Sequence, residues 1–462
     1  MSYVETYYRP GADADAPRAP LSGRIDVDVC IVGGGLAGLT TGLELARRGR
    51  RVCILDAERI AWGASGRNGG FVSPGYSAGY KTISRRVGAD HAKALHRLSI
   101  EGAEAVAANL DQLAAPVADR TYGILSTSRY EAADDLQRHR DWLEREFDYR
   151  VEFRSREQVR EVLASDCYHQ ALYNPNGFHF HPLNYARALA REVEQLGGAI
   201  FEASPARAIE PEGAGRVVRT EGGEVRAKDV VIATGGYTGA LEPRLQRSVL
   251  PIATYVMLTR PNPALIAGAI RTTAAIGDNR RAGDYYRLVD GGQRILWGGK
   301  ITTRTSEPRR LAGLLHQTMV ATYPQLAGLE VDLAWSGLMA YARHLTPQIG
   351  RLDHGLWYCT AFGGHGVNTT AIGGRVIAEA IAGETDRYRL FEPFGLAWNG
   401  GPAGRAAVQA TYWYMQAMDF IRERRSPRST LRHPGRSVAK SRDPGASARR
   451  PGSRIGPSGR PG

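Results

Sequence analysis

Three stretches of this 462-residue sequence predict an α/β fold, with a parallel-sheet nucleotide domain and a mixed-sheet α+β domain inserted into it. In the first, apolar residues 28–32 end in Gly33-Gly34-Gly35-Leu36-Ala37-Gly38 and run straight into the helical pattern of residues 39–48. In the second, residues 51–55 form a short apolar strand that stops at Asp56. In the third, residues 229–232 form a buried strand that closes on Ala233-Thr234-Gly235-Gly236. Strand, glycine turn and helix in that order place a dinucleotide pyrophosphate at a helix N-terminus, where free N–H groups and the helix dipole favour anions.

Each glycine of the turn has its own task. Gly33 makes the turn, Gly35 lets backbone approach the phosphates, and Gly38 lets helix and strand pack closely. Glycine supplies 55 of the 462 residues, so a bare G-x-G-x-x-G is weak evidence by itself. Asp56 strengthens it, standing twenty-one residues beyond Gly35, where a carboxylate accepts hydrogen bonds from a ribose. The alternative is an ordinary Gly-rich βαβ unit with Asp56 as a plain strand-end carboxylate.

Composition narrows the class. Two domains are expected at this length, and 43% hydrophobic with 23% charged residues is the balance of a soluble globular enzyme. No apolar run reaches the roughly eighteen residues a membrane span needs. The start Met1-Ser2-Tyr3-Val4-Glu5 lacks a basic region followed by an apolar one, so a cytoplasmic protein without a membrane partner is expected. Cys30 and Cys53 fall in predicted strands while Cys167 and Cys359 stand alone, which reads as packing thiols. The net charge of +13 is unevenly spread: residues 424–462 hold ten Arg and one Lys against one Asp, leaving only +3 on the rest.

Residues 1–23, with Tyr7-Tyr8 and then Pro10, Pro17 and Pro20, read as an extended arm. After Asp56, the run Trp62-Gly63-Ala64-Ser65-Gly66-Arg67-Asn68-Gly69-Gly70-Phe71 is too glycine-rich for helix or strand. Its small residues let a planar ligand lie against backbone, and Arg67 and Asn68 offer donors. A hydrolase elbow fails there, because Arg67 stands where G-x-S-x-G needs glycine. Helical spacing follows at 91–120 and 130–147, with a short strand at 123–128 between them. Phe178-His179-Phe180-His181-Pro182 alternates histidines, yet no second ligand cluster lies near, so a strand before a helix at 183–196 is expected and no metal. Strands at 252–259, 283–288 and 294–300 predict a mixed sheet suited to covering a flat ligand. A strand at 356–360 opens into Phe362-Gly363-Gly364-His365-Gly366-Val367 and a helix at 372–381, and a last helix spans 402–423.

The glycine turn from Gly33 to Gly38, followed by Gly63-Ala64-Ser65-Gly66-Arg67-Asn68-Gly69-Gly70, resembles the FAD-dependent amine oxidoreductases of the D-amino-acid-oxidase superfamily. Within them it is most similar to the enzymes that oxidise gamma-glutamylputrescine, over residues 7 to about 423. The resemblance implies a discontinuous, Rossmann-like FAD-binding domain of residues 24–88, 177–243 and 345–385. Into it is inserted a mixed-sheet α+β substrate domain of residues 89–176 and 244–344. An arm and helix at 386–423 and a basic disordered tail at 424–462 complete the chain. The second strand-turn, with Thr234 and Gly235, favours FAD over NAD when paired with the first.

What the resemblance implies for the site is specific. Gly33, Gly35, Gly38, Asp56, Ser65, Gly66, Arg67, Asn68 and Gly69 would hold FAD, with backbone near Ala206 against the adenine. Gly364, Gly366 and Val367 would aim a helix N-terminus at the pyrimidine edge of the flavin. Relatives that tether flavin place a cysteine just after a tryptophan, whereas Trp335 is followed by Ser336, Gly337, Leu338, Met339 and Ala340, so FAD should be noncovalent. The implied reaction removes hydride from a carbon beside an amine, hydrolyses the imine to aldehyde and ammonia, and returns electrons to dioxygen as peroxide. Tyr255, Tyr285 and Trp297 are wall candidates, with ordinary core as the alternative for each, and Tyr286 is both a wall and a catalytic candidate. Arg260, Arg287 and Arg343 are candidates for a substrate carboxylate, with a surface or structural arginine as the more usual alternative for each. Lys300, with His365 as fallback, is the candidate cation for the oxygen step. Two other functions stay open: a dehydrogenase serving a quinone or carrier protein, and a nucleic-acid-binding flavoprotein driven by the tail. The latter is not favoured, because the tail interleaves no aromatic residues. The oligomeric state is not read from the sequence.

Overall fold

The computed structural model describes residues 2–10, 16–113, 118–280, 283–303, 310–353 and 355–426. The strand Gly23–Val32 takes the centre of a largely parallel sheet because residues 29–32 are covered on both faces. Gly223–Ile232 pairs with it on one side and Val52–Leu55 on the other, so that Cys30 lies opposite both Val230 and Cys53. The strand order is Gln348–Asp353, Leu356–Thr360, Gly223–Ile232, Gly23–Val32, Val52–Leu55, Ala199–Phe201. Only the Gln348–Asp353 edge strand is antiparallel on this path. All four cysteines are free.

Two helices that start at this sheet's ends pack side by side. Leu36–Arg47 follows the glycine turn and Gly366–Ala382 follows the last strand. They approach closely because Gly374 has no side chain: a Cβ there would lie 2.8 Å from the Thr41 nitrogen. Ala89–Gln112 packs on the same helix through Gly102, where a Cβ would lie 2.3 Å from the Asn368 carbonyl.

The second sheet runs Val331–Ala342, Val249–Thr259, Arg294–Thr302, Tyr285–Val289, Ala275–Asp278, Thr121–Thr127, Ala171–His179, Phe71–Val72. One face carries a core of Tyr255, Met257, Tyr286, Ile295 and Trp297 against Leu315, Met319 and Tyr323. The other face covers the ends of the parallel sheet. The short strand Phe71–Val72 belongs here by pairing with His179 and Phe178, although sequence groups it with the nucleotide segments. Trp335 sits within a long strand of this sheet. The last helix, Gly401–Arg425, carries through residue 423, and the rest of the expected tail, from residue 427, lies outside the described residues.

Candidate functional site

A cavity of about 1080 Å³ lies between the C-terminal ends of the parallel strands and the open face of the second sheet. It exceeds the usual ligand pocket of roughly 300–1,000 Å³. Crevices at strand ends are where open α/β sheets bind ligands.

The glycine turn forms one end of it. Gly33 has φ +111°, and a Cβ there would lie 2.6 Å from the Ala233 carbonyl oxygen. Gly35 opens the wall toward Ser65, whose Oγ would sit 2.9 Å from an added Cβ. Ser65 Oγ accepts from the Leu36 N–H at 2.9 Å, while no side chain caps the helix from Gly35. Gly38 is not on the wall; a Cβ there would lie 1.9 Å from the Gly33 oxygen, so it holds turn and helix together. Asp56 accepts from the Gly34 N–H at 2.6 Å and the Glu58 N–H at 2.8 Å. Burial still outweighs those bonds and pushes its carboxyl up to about 6.

The run after Asp56 forms the floor. Gly66 is buried behind it, where a Cβ would lie 2.4 Å from the Ala61 oxygen. Arg67 lines the cavity, donates through Nε to the Trp62 carbonyl at 2.7 Å, and lies 4.1 Å over the Trp62 ring. Asn68 is a clasp: Nδ2 donates to the Ala64 and Ser65 carbonyls and Oδ1 accepts from Gly70 N–H at 2.8 Å. Gly69 is bare because the Tyr285 ring would lie 2.7 Å from a Cβ. Ala206 with Pro205 and Arg207 closes one flank, and Thr234 and Gly235 line the turn beside Gly33.

At another part of the wall the helix Gly366–Ala382 begins, again with no side-chain cap, and Gly364, His365, Gly366 and Val367 face the cavity. Gly364 N–H is taken by Ser77 Oγ at 2.7 Å. The surrounding protein pulls the His365 imidazole below its usual pKa although the residue is open to the cavity, which disfavours the fallback cation role.

Several expected residues stand elsewhere, for one reason: strand alternation turns neighbours to opposite faces. Tyr285 faces the cavity, whereas Tyr286 is fully buried on the far side, stacked on Trp297 at 4.1 Å with its hydroxyl bonded to Tyr323 and Tyr168. Tyr255 shares that core, so Tyr255, Tyr286 and Trp297 are packing residues rather than cavity wall. Arg260 is exposed and paired with Glu330 at 3.3 Å. Arg287 is buried away from the cavity, donating to the Gly69 and Phe180 carbonyls and to Tyr8 Oη, which itself donates to the Asn68 carbonyl. Arg343 is exposed in the turn after Val331–Ala342.

Lys300 is the extra residue of a β-bulge. Tyr255 pairs with Gly299 and Thr254 with Ile301, so Lys300 is skipped, with φ +56° and an exposed side chain off the cavity wall. Gly298 and Gly299 do not clear space for a ligand ring either. Tyr285 fills the space over Gly298 and Asp284 that over Gly299, at 2.0 and 2.6 Å from an added Cβ.

Sequence reasoning missed Thr254, Tyr341, Tyr237, Phe71, Ser126 and Asn279, all of which line the cavity. Thr254 was findable as the alternate neighbour of Tyr255, and Tyr237 as the residue after the second glycine turn. Ser126 and Asn279 meet only through the parallel pairing of Thr121–Thr127 with Ala275–Asp278, which no local pattern announces. Among the described residues no cluster of His, Cys, Asp and Glu is arranged to hold a metal, and no helix is long and apolar enough to cross a membrane.

A Gly35–Ser65 cradle, two helix N-termini that open on the cavity and a half-buried carboxylate at a second strand end fit a large anionic dinucleotide. Comparison with known proteins agrees in kind. Residues 28–380 match the family model described as FAD dependent oxidoreductase (DAO). The chain is 34% identical over 391 residues to a gamma-glutamylputrescine oxidoreductase of Escherichia coli K12, covering 84% of this chain and 91% of that one. It is 30% identical over 399 residues to a probable oxidoreductase OrdL of Haemophilus influenzae, covering 85% and 91%. The crystal structure of glycine oxidase from Geobacillus kaustophilus superposes with a TM-score of 0.68 at 24% identity, covering 80% of this chain and 98% of that one.

Proposed function

The chain belongs to the DAO family of FAD-dependent oxidoreductases, and from that premise we propose that it is an oxidase of a long primary amine of the gamma-glutamylputrescine kind. Bound FAD supplies the two-electron acceptor for a C–H bond beside an amine nitrogen and passes those electrons to dioxygen. The observation that carries the reading is a single cavity joining the Gly33–Gly35 turn, Asp56 and the helix start at Gly366 to the face that bears Tyr285, Thr254 and Tyr341.

The chain's own residues divide the work. The start of Leu36–Arg47, with Ser65, would hold pyrophosphate, and Asp56 would accept from ribose. Backbone from His365 to Val367 would donate toward the pyrimidine edge, with Gly364 N–H held by Ser77, and aimed donors in a dry site stabilise developing negative charge by roughly 2.7 to 4 kcal/mol. Tyr285, Tyr341, Thr254 and Phe71 wall the substrate and exclude water. A neutral amine gives up hydride from carbon and a proton from nitrogen, and water then hydrolyses the imine to aldehyde and ammonia. No described cysteine lines the cavity, which supports noncovalent FAD.

The test is direct. The purified chain should be yellow, release its FAD into the supernatant on acid precipitation, and evolve peroxide with gamma-glutamylputrescine faster than with glycine or small D-amino acids. Reduction of a quinone or dye by the amine without oxygen uptake would reject the oxidase and leave a dehydrogenase. Peroxide from glycine alone would reject the long-amine substrate.

A further inference from the structure

We propose that the last helix, Gly401–Arg425, docks the protein onto an anionic membrane surface. Its two faces are reversed from what a surface helix ordinarily shows. Toward the protein it packs by one stripe, burying Tyr412 and Asp419, with Val408 and Tyr412 against Leu250 and Ile252. Toward solvent it presents Ala403, Ala406, Ala407, Ala410, Trp413, Tyr414, Ala417, Phe420 and Ile421, all within an arc of roughly 140° at 3.6 residues per turn. Trp413 is 64% exposed, Tyr414 66%, Phe420 54% and Ile421 39%. They account for four of the nine large hydrophobic side chains exposed among the described residues, and Trp398, 64% exposed, lies just before the helix.

Charge chooses the occupant. The aromatic half of the helix runs into Arg422, Arg424 and Arg425, with the Arg424 guanidinium lying 4.2 Å over the Phe420 ring. Beyond the helix, residues 427–462 add eight Arg and one Lys against one Asp, while residues 1–423 carry only +3. Apolar aromatic side chains flanked by guanidinium groups match the boundary between acyl chains and anionic headgroups, where aromatic rings settle and basic side chains reach the phosphates. A second copy offers the same cations to the same cations, so self-association has no such complementarity. A helix lying in the surface needs no spanning run, so the lack of one in the sequence does not bear on this.

The experiment uses the full, flavin-loaded chain and sedimentation with vesicles of phosphatidylglycerol and phosphatidylcholine in equal parts, or of phosphatidylcholine alone. The chain should sediment with the anionic vesicles only, less so at high salt. Trp413→Ser with Phe420→Ser should weaken binding by roughly tenfold or more while flavin content and turnover in solution stay unchanged. Brominated acyl chains provide a readout that needs no folded variant: they should quench tryptophan emission of the native chain, and Trp413→Phe should remove most of that quenching. The proposal is overturned if the double variant binds as well as the native chain, or if vesicles do not quench. It is equally overturned if the helix variants change the native oligomeric state and not sedimentation, which would make a second copy the occupant.

Discussion

The two walls of the cavity are built from different materials. On the parallel-sheet side the cavity is lined by backbone, at Gly33, Gly35, Gly69, Gly235 and Gly364, and two helix starts open on it. On the mixed-sheet side the ligand meets side chains, Tyr285, Thr254, Tyr341 and Phe71 among them. Backbone sites constrain sequence sharply, because glycine is favoured at a positive φ and only glycine fits where backbone would lie under 3 Å from a Cβ. Side-chain walls constrain it weakly, because any strand has two faces and the sequence does not say which one is inward.

That difference explains what was legible. The strand-turn-helix at Gly33 and the strand end at Asp56 were read from sequence because each is a local pattern with a steric cause, whereas the helix expected at 372–381 begins at Gly366, where only the resemblance put a helix start. Of the wall candidates, Tyr255, Tyr286 and Trp297 took the alternative of ordinary core, while Tyr285, next to Tyr286 on the same strand, faces the cavity. The structural role of Arg287, the alternative to a substrate carboxylate partner, could not be specified from sequence because its partners are Tyr8, Gly69, His179 and Phe180, far away in the chain.

The contrast is broken most forcefully at Gly38. A side chain there would collide with the Gly33 oxygen, so Gly38→Val should cost about 3 kcal/mol or more and lower FAD retention by roughly a hundredfold, read as flavin absorbance per chain. If the variant keeps stoichiometric flavin, the backbone wall does not bind the cofactor.

Asp56 sharpens the same wall through pH. Its carboxyl sits near pH 6 in the flavin-free fold against about 3.9 in an unfolded chain. Between those values the fold binds more protons than the unfolded chain, so flavin-free stability falls as pH rises, by up to about 3 kcal/mol. Ribose donors favour the carboxylate, so FAD affinity should run the other way, weakening by up to roughly tenfold per pH unit below pH 6. Titration calorimetry at several pH values checks this, and Asp56→Asn should flatten the slope.

On the side-chain wall, two adjacent tyrosines give opposite signatures. Tyr285→Ala should lower kcat/KM for the amine several-fold with flavin retained. Tyr286→Phe strips a shared partner from the Tyr168 and Tyr323 hydroxyls and should cost about 1–2 kcal/mol of stability with kinetics unchanged. Kinetic loss in Tyr286→Phe would show that the sheet's phase had been assigned to the wrong face.

The smallest effect belongs to Lys300, on the mixed-sheet side but off the cavity wall. A lysine following two glycines on a strand suggests a cation brought close to a flat ring. The bulge defeats that geometry: the glycines are occupied by Tyr285 and Asp284, and the extra residue turns its side chain out. What remains is backbone strain, since a left-handed conformation costs a residue with a Cβ about 1–2 kcal/mol that glycine is spared. Glycine regains entropy in the unfolded chain, which offsets part of that gain. Lys300→Gly should therefore stabilise the protein by about 0.5–1 kcal/mol, seen as a higher Tm. In stopped-flow, Lys300→Met should leave both anaerobic reduction by amine and reoxidation by oxygen at native rates. Slow reoxidation alone in Lys300→Met would return the charge to the flavin face and require the bulge to rearrange when the cofactor is bound.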